Sequence, residues 1–323
     1  MAGPMHQNRH RYAVYLGATS CQENQMQSFN GRVAVVTGGG SGIGEAMAWR
    51  FAREGMKVVV ADVDGGAASR VCDAIERAGC HALPVRTDVT RHEEVEALAN
   101  TAFGTYGTVD VLCNNAGVVP SGRYRPVWEY PLEDWKWSFD VNLMGVVHGL
   151  RNFVPRMLAQ GSEGHIVTTA SVAGLVSGSG SVVYSAAKHA AVRITEALYA
   201  SLRERAAPIG VTLLCPGLVN TRIYESERNR PRELRPEGGA AEETAELQAI
   251  ADDLYAGAIS PEEVADQVVD AIRENRLYVL TTSSFDEAIE GRMRSILDRA
   301  NPSFAGLLEL TKRDIKDGGS RTP

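Results

Sequence analysis

The sequence predicts an α/β protein, a doubly wound parallel sheet in a single domain with helices on both faces. Short β-branched apolar runs, beginning with Val33 to Val36, alternate along the chain with longer segments of helical spacing, which is the order that builds βαβ units. A glycine cluster, Gly38-Gly39-Gly40-Ser41-Gly42-Ile43-Gly44, lies directly between the first strand and the first helix. The 323 residues, 44% hydrophobic and 23% charged, have the composition of an ordinary globular chain.

Bulk properties exclude several function classes. No run approaches the roughly 18 apolar residues of a membrane span. A formal net charge of -7 argues against nucleic acid or an anionic membrane as partner. Arg222, Arg228, Arg230, Arg232 and Arg235 resemble a basic run, but Glu225, Glu227, Glu233 and Glu237 interleave with them, so the segment reads as solvated, mobile surface. The five cysteines, Cys21, Cys72, Cys80, Cys113 and Cys215, show no CxxC spacing and read as reduced thiols of a cytoplasmic protein. The seven histidines form no HxxxH pair, so no metal site is expected.

Residues 1–28 have little periodicity. Their apolar stretch is too short and polar for a leader, and they are expected to be a disordered extension. The first strand then runs into the glycine cluster. Glycines let the backbone approach an anion without Cβ contacts, and the helix that follows presents free N–H groups and a positive dipole end. This is a phosphate site by construction. The second strand, Lys57 to Ala61, ends in Asp62, eighteen residues after Gly44. A carboxylate there accepts hydrogen bonds from an adenosine ribose and repels a 2′-phosphate, which favours NAD over NADP; an exposed strand-end Asp is the plain alternative.

Gly66 to Ala78 has helical spacing, and Leu83 to Arg86 is a third strand followed by Thr87-Asp88-Val89. Asp88 is placed to reach an adenine amine or, more simply, to cap the helix described by Val95, Leu98, Ala99 and Ala102. The fourth strand, Val109 to Cys113, leads to Asn114-Asn115-Ala116-Gly117, where two amides are able to tie neighbouring strands together beside a ligand. From Leu132 to Gln160 the apolar stripe Trp135, Phe139, Leu143, Val146 and Leu150 marks one long helix. Asn142 lies on or beside it and needs a partner, whether structural or functional.

His165 to Thr169 is the fifth strand, ending at Ser171. Thirteen residues later, Tyr184-Ser185-Ala186-Ala187-Lys188 opens a helix. Residues four apart share a helix face, so the Lys188 ammonium lies near the Tyr184 hydroxyl and favours phenolate. Val211 to Cys215 is a sixth strand, Pro261 to Glu274 a helix, Leu277 to Leu280 a seventh strand, and Phe285 to Ala300 a last helix. Between them, Arg222 to Gly257 is rich in charge, Pro and Gly.

The ordered set Thr37-Gly38-x-x-x-Gly42-x-Gly44, Asp88, Asn114-Asn115-Ala116-Gly117, Asn142, Ser171, Tyr184-x-x-x-Lys188 and Pro216-Gly217-x-x-x-Thr221 resembles the classical short-chain dehydrogenases/reductases from about Arg32 to Leu280. With Ser41 at the middle glycine position of TGxxGxxG, it is less similar to the extended branch. The resemblance implies a Rossmann-type, seven-stranded domain over 29–300 with a substrate lid at about 222–257, leaving 301–323 as a tail. It implies hydride transfer between nicotinamide and a carbinol carbon. Tyr184 would be the acid/base, Lys188 would also bind the nicotinamide ribose, Ser171 would hold the substrate oxygen, and Asn142 would position a water. Thr37, Gly38, Gly42, Ile43 and Gly44 would surround the pyrophosphate, Asp62 the ribose, and Asp88 and Val89 the adenine. Asn115, Ala116 and Gly117 would meet the inner ribose; Pro216, Gly217, Val219 and Thr221 the carboxamide end. A neutral Ser41, where NADP enzymes of the family often carry a basic residue, agrees with Asp62 in favouring NAD.

The pocket is expected among Val118, Val119, Ala173, Leu175, Val176, Leu218, Val219, Ile223, Tyr224, Leu254 and Tyr255, apolar enough for a hydrophobic secondary alcohol or ketone. Ala186, Ala190 and Ala197 permit close packing of the catalytic helix, and by resemblance a homodimer or homotetramer. A non-catalytic dinucleotide sensor is the competing reading; four intact catalytic positions argue against it.

Overall fold

The computed structural model describes residues 26–120, 126–178, 181–236 and 258–302. Seven parallel strands, β1 (Val33–Thr37), β2 (Lys57–Asp62), β3 (His81–Arg86), β4 (Val111–Asn114), β5 (Gly164–Thr169), β6 (Ile209–Cys215) and β7 (Tyr278–Leu280), form one sheet in the order β3-β2-β1-β4-β5-β6-β7. The chain starts in the middle, winds outward through β3, then returns across β1 to β4. That reversal opens a crevice at the carboxyl ends of β1 and β4, where ligands bind in open α/β sheets.

Alternation along β1 decides which side chain meets which layer. Ala34 and Val36 pack with α1 (Gly42–Arg53), α2 (Gly65–Arg77) and α7 (Pro261–Arg273), while Val33 and Val35 face the opposite layer. That layer holds α3 (His92–Tyr106), α4 (Leu132–Phe139), α5 (Gly145–Gln160) and α6 (Val182–Glu204). With both faces covered, the central strands are buried on both sides, as in β6, where every residue, Thr212 included, is buried. The last helix, α8 (Asp286–Asp298), buries none of its residues.

Two expectations change. Residues 26–28 are not a loose extension: Met26 is buried with Phe29 in the core, and Gln27 Nε2 donates to the Arg273 carbonyl at 3.0 Å. Residues 1–25 and 303–323 lie outside the described residues. The helix expected over Leu132–Gln160 is interrupted by a π-helical turn, Asp140–Met144, between α4 and α5. Asn142, in that turn, spends Nδ2 on the Ser138 carbonyl four residues back, at 3.0 Å, the acceptor an α-helical N–H of residue 142 would use. A side chain inserted into the ladder is a recognised cause of such a bulge.

Candidate active site

The cleft at the carboxyl edge of the sheet has a volume of about 380 Å³. At one end β1 turns through the glycine cluster into α1. Gly42 adopts φ +55°, and Ser41, the helix N-cap, makes no side-chain capping bond, so the first-turn N–H groups of a twelve-residue helix open onto the cleft. Asp62 stands beside them at the end of β2. Its Oδ2 accepts from Gly40 N at 2.9 Å and its Oδ1 from Asp64 N at 3.0 Å. A carboxylate has about four acceptor positions, so two are left for hydroxyl donors. Burial raises its pKa, opposed by those two backbone bonds.

Across the switch point, Asn115 ties three strands together. Its Nδ2 donates to the Thr37 carbonyl at 3.0 Å, and its Oδ1 accepts from Thr169 Oγ1 at 3.0 Å. The backbone of Asn115, Ala116 and Gly117 is thereby held against the cleft.

The catalytic candidates meet beyond it. Lys188 Nζ donates to the Thr169 carbonyl at 2.8 Å and lies 5.6 Å from the Tyr184 ring centroid, as their i,i+4 spacing requires. Ser171, at the end of β5, accepts from Ala173 N at 3.1 Å and lines the same cleft. Asn142 is fully buried and satisfied: Oδ1 accepts from Val118 N at 3.1 Å, and Nδ2 donates to the Val118 carbonyl at 2.8 Å. Gly117 connects Asn142 to Lys188, since a Cβ there would lie 3.0 Å from Asn142 Oδ1 and 3.4 Å from Lys188 Nζ.

Burial depresses the Lys188 pKa to about 8. The neighbouring Cys215 would oppose this only as thiolate, and burial pushes that thiol up to about 12, so it is neutral in this range. Because the folded pKa lies below the ordinary 10.5, the unfolded chain holds the proton more tightly between about pH 8 and 10.5. Burial of the ammonium therefore costs about 3 kcal/mol below pH 8, and stability rises with pH through that window. Urea melts of ligand-free Lys188→Met should lack this rise; an unchanged slope between pH 8 and 10 would contradict it.

Nearly all the expected cofactor residues, from Gly38, Ser41, Gly42 and Ile43 through Asp62, Asp88, Val89, Asn115, Ala116 and Gly117 to Pro216, Gly217, Val219 and Thr221, line this cleft. Thr37 and Gly44 do not. The Thr37 hydroxyl accepts from Asn115 N and Ala116 N, at 2.9 and 3.1 Å, and donates to the Cys113 carbonyl. It is therefore committed to shaping the β4 loop. Gly44 lies one turn behind, where a Cβ would come within 2.1 Å of the Gly38 carbonyl oxygen. Asp88 is not the N-cap of α3, which is Arg91; it forms a turn with Thr90, accepting from its N and Oγ1.

The apolar part of the cleft contains Val118, Val119, Ala173, Leu218 and Ile223, all among the residues expected around a substrate, together with Trp137, Val141, Val172, Pro231 and Phe285. Leu175, Val176 and Tyr224 do not line it, and Leu254 and Tyr255 lie outside the described residues. Trp137 belongs to the same helix as the stripe residue Trp135, but it is Trp137 that is buried and lines the pocket. Phe285 carried no motif; it is buried against Val172 and Val176.

Arg230 corrects the reading of its segment as solvated surface. Its side chain is 1% exposed, pairs with Asp134 at 2.6 Å and Glu227 at 3.0 Å, donates Nε to the Leu234 carbonyl at 2.7 Å, and lies 4.8 Å from the Trp137 ring centroid. The chain after Thr221 is thus clamped to α4.

The fold and cleft define a class: an α/β dinucleotide-binding protein of the dehydrogenase type. The chain belongs to the short chain dehydrogenase family, whose model matches residues 32–232. It is 41% identical over 253 residues to a 1-deoxy-11-beta-hydroxypentalenate dehydrogenase of Streptomyces exfoliatus, covering 78% of this chain and 83% of that one. A CLA biosynthesis dehydrogenase/reductase of Lactiplantibacillus plantarum is 33% identical, covering 86% and 97%. A crystal structure of a short chain dehydrogenase/reductase from Burkholderia phymatum in complex with NAD superposes with TM-score 0.80 at 43% identity, covering 87% of this chain and 99% of that one. The chain is an oxidoreductase of this family, with NAD(P) as its cofactor. Among the described residues no helix is long and apolar enough to cross a membrane, and no group of three or more His, Cys, Asp or Glu residues could hold a metal ion.

Proposed function

We propose that the protein is an NAD-dependent dehydrogenase/reductase acting on a hydrophobic secondary alcohol or ketone. The observation that carries this is the convergence of Tyr184, Lys188 and Ser171 at the apolar end of a cleft whose other end is fitted for a dinucleotide. The bound cofactor supplies a hydride acceptor or donor at nicotinamide C4, and the chain supplies orientation and proton handling.

In oxidation Tyr184 Oη takes the alcohol proton; in reduction it returns a proton to the carbinol oxygen. Lys188, held on the Thr169 carbonyl, favours the anionic phenol by its charge. Ser171 Oγ donates to the substrate oxygen where negative charge develops. Asn142 is a positioning residue: its side chain fixes the Val118 backbone beside Gly117 and Lys188, which supports a role in holding a water on the path from Lys188 to solvent.

Preference for NAD rests on Asp62, whose remaining acceptor positions suit two ribose hydroxyls and whose charge disfavours a 2′-phosphate. An apolar substrate agrees with Trp137, Val141, Val118, Ile223 and Phe285 around the reacting end. The buried thiols of Cys72, Cys113 and Cys215 agree with a cytoplasmic protein, and the half-buried Ala186, Ala190 and Ala197 of α6 with a homodimer or homotetramer.

The test is nicotinamide absorbance with NAD and NADP separately against cyclohexanol and a long-chain secondary alcohol. Turnover with NAD exceeding that with NADP by about tenfold or more is expected. Equal or better use of NADP would overturn the assigned preference.

A further inference from the structure

The segment after Thr221 belongs, on the reading above, to the substrate side of the cleft, yet it also reaches the opposite end. A second cavity of about 360 Å³ lies beside Asp62. It adjoins the main cleft through Ser41, Asp62, Arg222, Arg228 and Asn229, which line both. One wall is the glycine loop and the start of α2; the other is Arg222, Arg228 and Asn229.

Arg228 is fixed in place. Its Nη1 donates to the carbonyls of Arg222 and Glu225, both at 2.9 Å, which orients the guanidinium. The turn that carries it, Ile223–Asn229, is anchored at both faces: Val119 N donates to Ser226 Oγ at 3.1 Å, and Arg230 is sealed against Asp134 and Trp137. The charge of Arg228 is close enough to favour the ionised form of Asp62 across the cavity. In the same turn, Ile223 and Ser226 line the main cleft.

We propose that Arg228, assisted by Asn229, is a cofactor-contacting residue that closes over the adenosine half of the dinucleotide opposite Asp62. The inference rests on the dinucleotide reading of the cleft. A guanidinium suits this position because its planar face stacks on an aromatic base while its fork donates to ribose or phosphate oxygens. One short turn then contacts the adenosine end of the cofactor with Arg228 and Asn229 and the cleft with Ile223 and Ser226. Contacts to the adenosine half would be lost with Arg228, and contacts to the nicotinamide half kept.

The test compares binding of NADH, ADP-ribose and reduced nicotinamide mononucleotide by calorimetry to the full chain, in wild type, Arg228→Ala and Arg228→Lys. Arg228 is exposed, so its removal should leave the fold intact; Asn229→Ala, with a smaller expected loss, is the second variant. Arg228→Ala should weaken NADH and ADP-ribose about tenfold, the size of one charge-assisted contact, and leave the mononucleotide within about twofold. Arg228→Lys should fall between. Unchanged ADP-ribose affinity in Arg228→Ala, or an equal loss for the mononucleotide, would overturn the inference. If wild type binds neither NADH nor ADP-ribose, the dinucleotide reading falls, and this inference with it.

Discussion

Tyr184→Phe is expected to lower kcat/KM for a secondary alcohol by about 10³-fold, within the range of a lost general acid/base, while NADH affinity stays within about twofold. The substitution removes one hydroxyl and keeps the ring that Lys188 faces at 5.6 Å, so the packing of the first turns of α6 is retained. The loss should therefore appear in the chemical step. Steady-state absorbance measures the first quantity and NADH fluorescence titration the second. Retained turnover would remove Tyr184 from the mechanism. Lost turnover with lost NADH binding would make its role one of cofactor binding instead.

The largest expected effect on stability comes from Arg230→Met, which should destabilise the fold by about 3 kcal/mol. Arg230 and Asp134 are both buried, and the methionine would leave the Asp134 carboxylate without its 2.6 Å partner in a site that excludes water. Methionine has about the right length to keep contact with Trp137, so the cost is chiefly electrostatic. The double variant Asp134→Leu/Arg230→Met removes both charges and should recover most of the loss, since an apolar pair of similar volume often matches a buried ion pair. Arg222→Ala, at an exposed pair, should change stability far less than Arg230→Met. Urea unfolding of the four proteins gives the comparison. A double variant as unstable as Arg230→Met would mean that the clamp acts through shape rather than charge.

These two residues illustrate how unevenly the site could be read. Tyr184 and Lys188 are four apart on one helix, and helix geometry alone brings them together. The glycine cluster is equally local, because a strand, a tight turn and a helix N-terminus follow one another within a dozen residues. The positions of β1 and β2 came from β-branched runs whose burial on both faces leaves no alternation to misread. Arg230, by contrast, sits among interleaved charges that spell exposed surface. Its pairing with Asp134, 96 positions away, and its packing on Trp137 accompany its burial.

The same division separates what else was predicted from what was not. Asn142 announced that it needed a partner, but its partners are the backbone of Val118, 24 positions away, and the carbonyl and hydroxyl of Ser138, and the π turn that accommodates it has no sequence signature. Thr37 looked like a ligand residue and serves as a hydrogen-bonded hub, because β1 and β4 become neighbours only after the chain has wound out through β3 and back. Sequence by itself determined the alternating strands and helices, the glycine turn between β1 and α1, the acidic end of β2 and the Tyr/Lys face of α6, all set by backbone geometry over a few residues. Tertiary structure alone decided that Trp137 and Phe285 wall the pocket, that Arg230 is buried, and that Arg228 faces Asp62, since each depends on long-range packing that brings distant segments together.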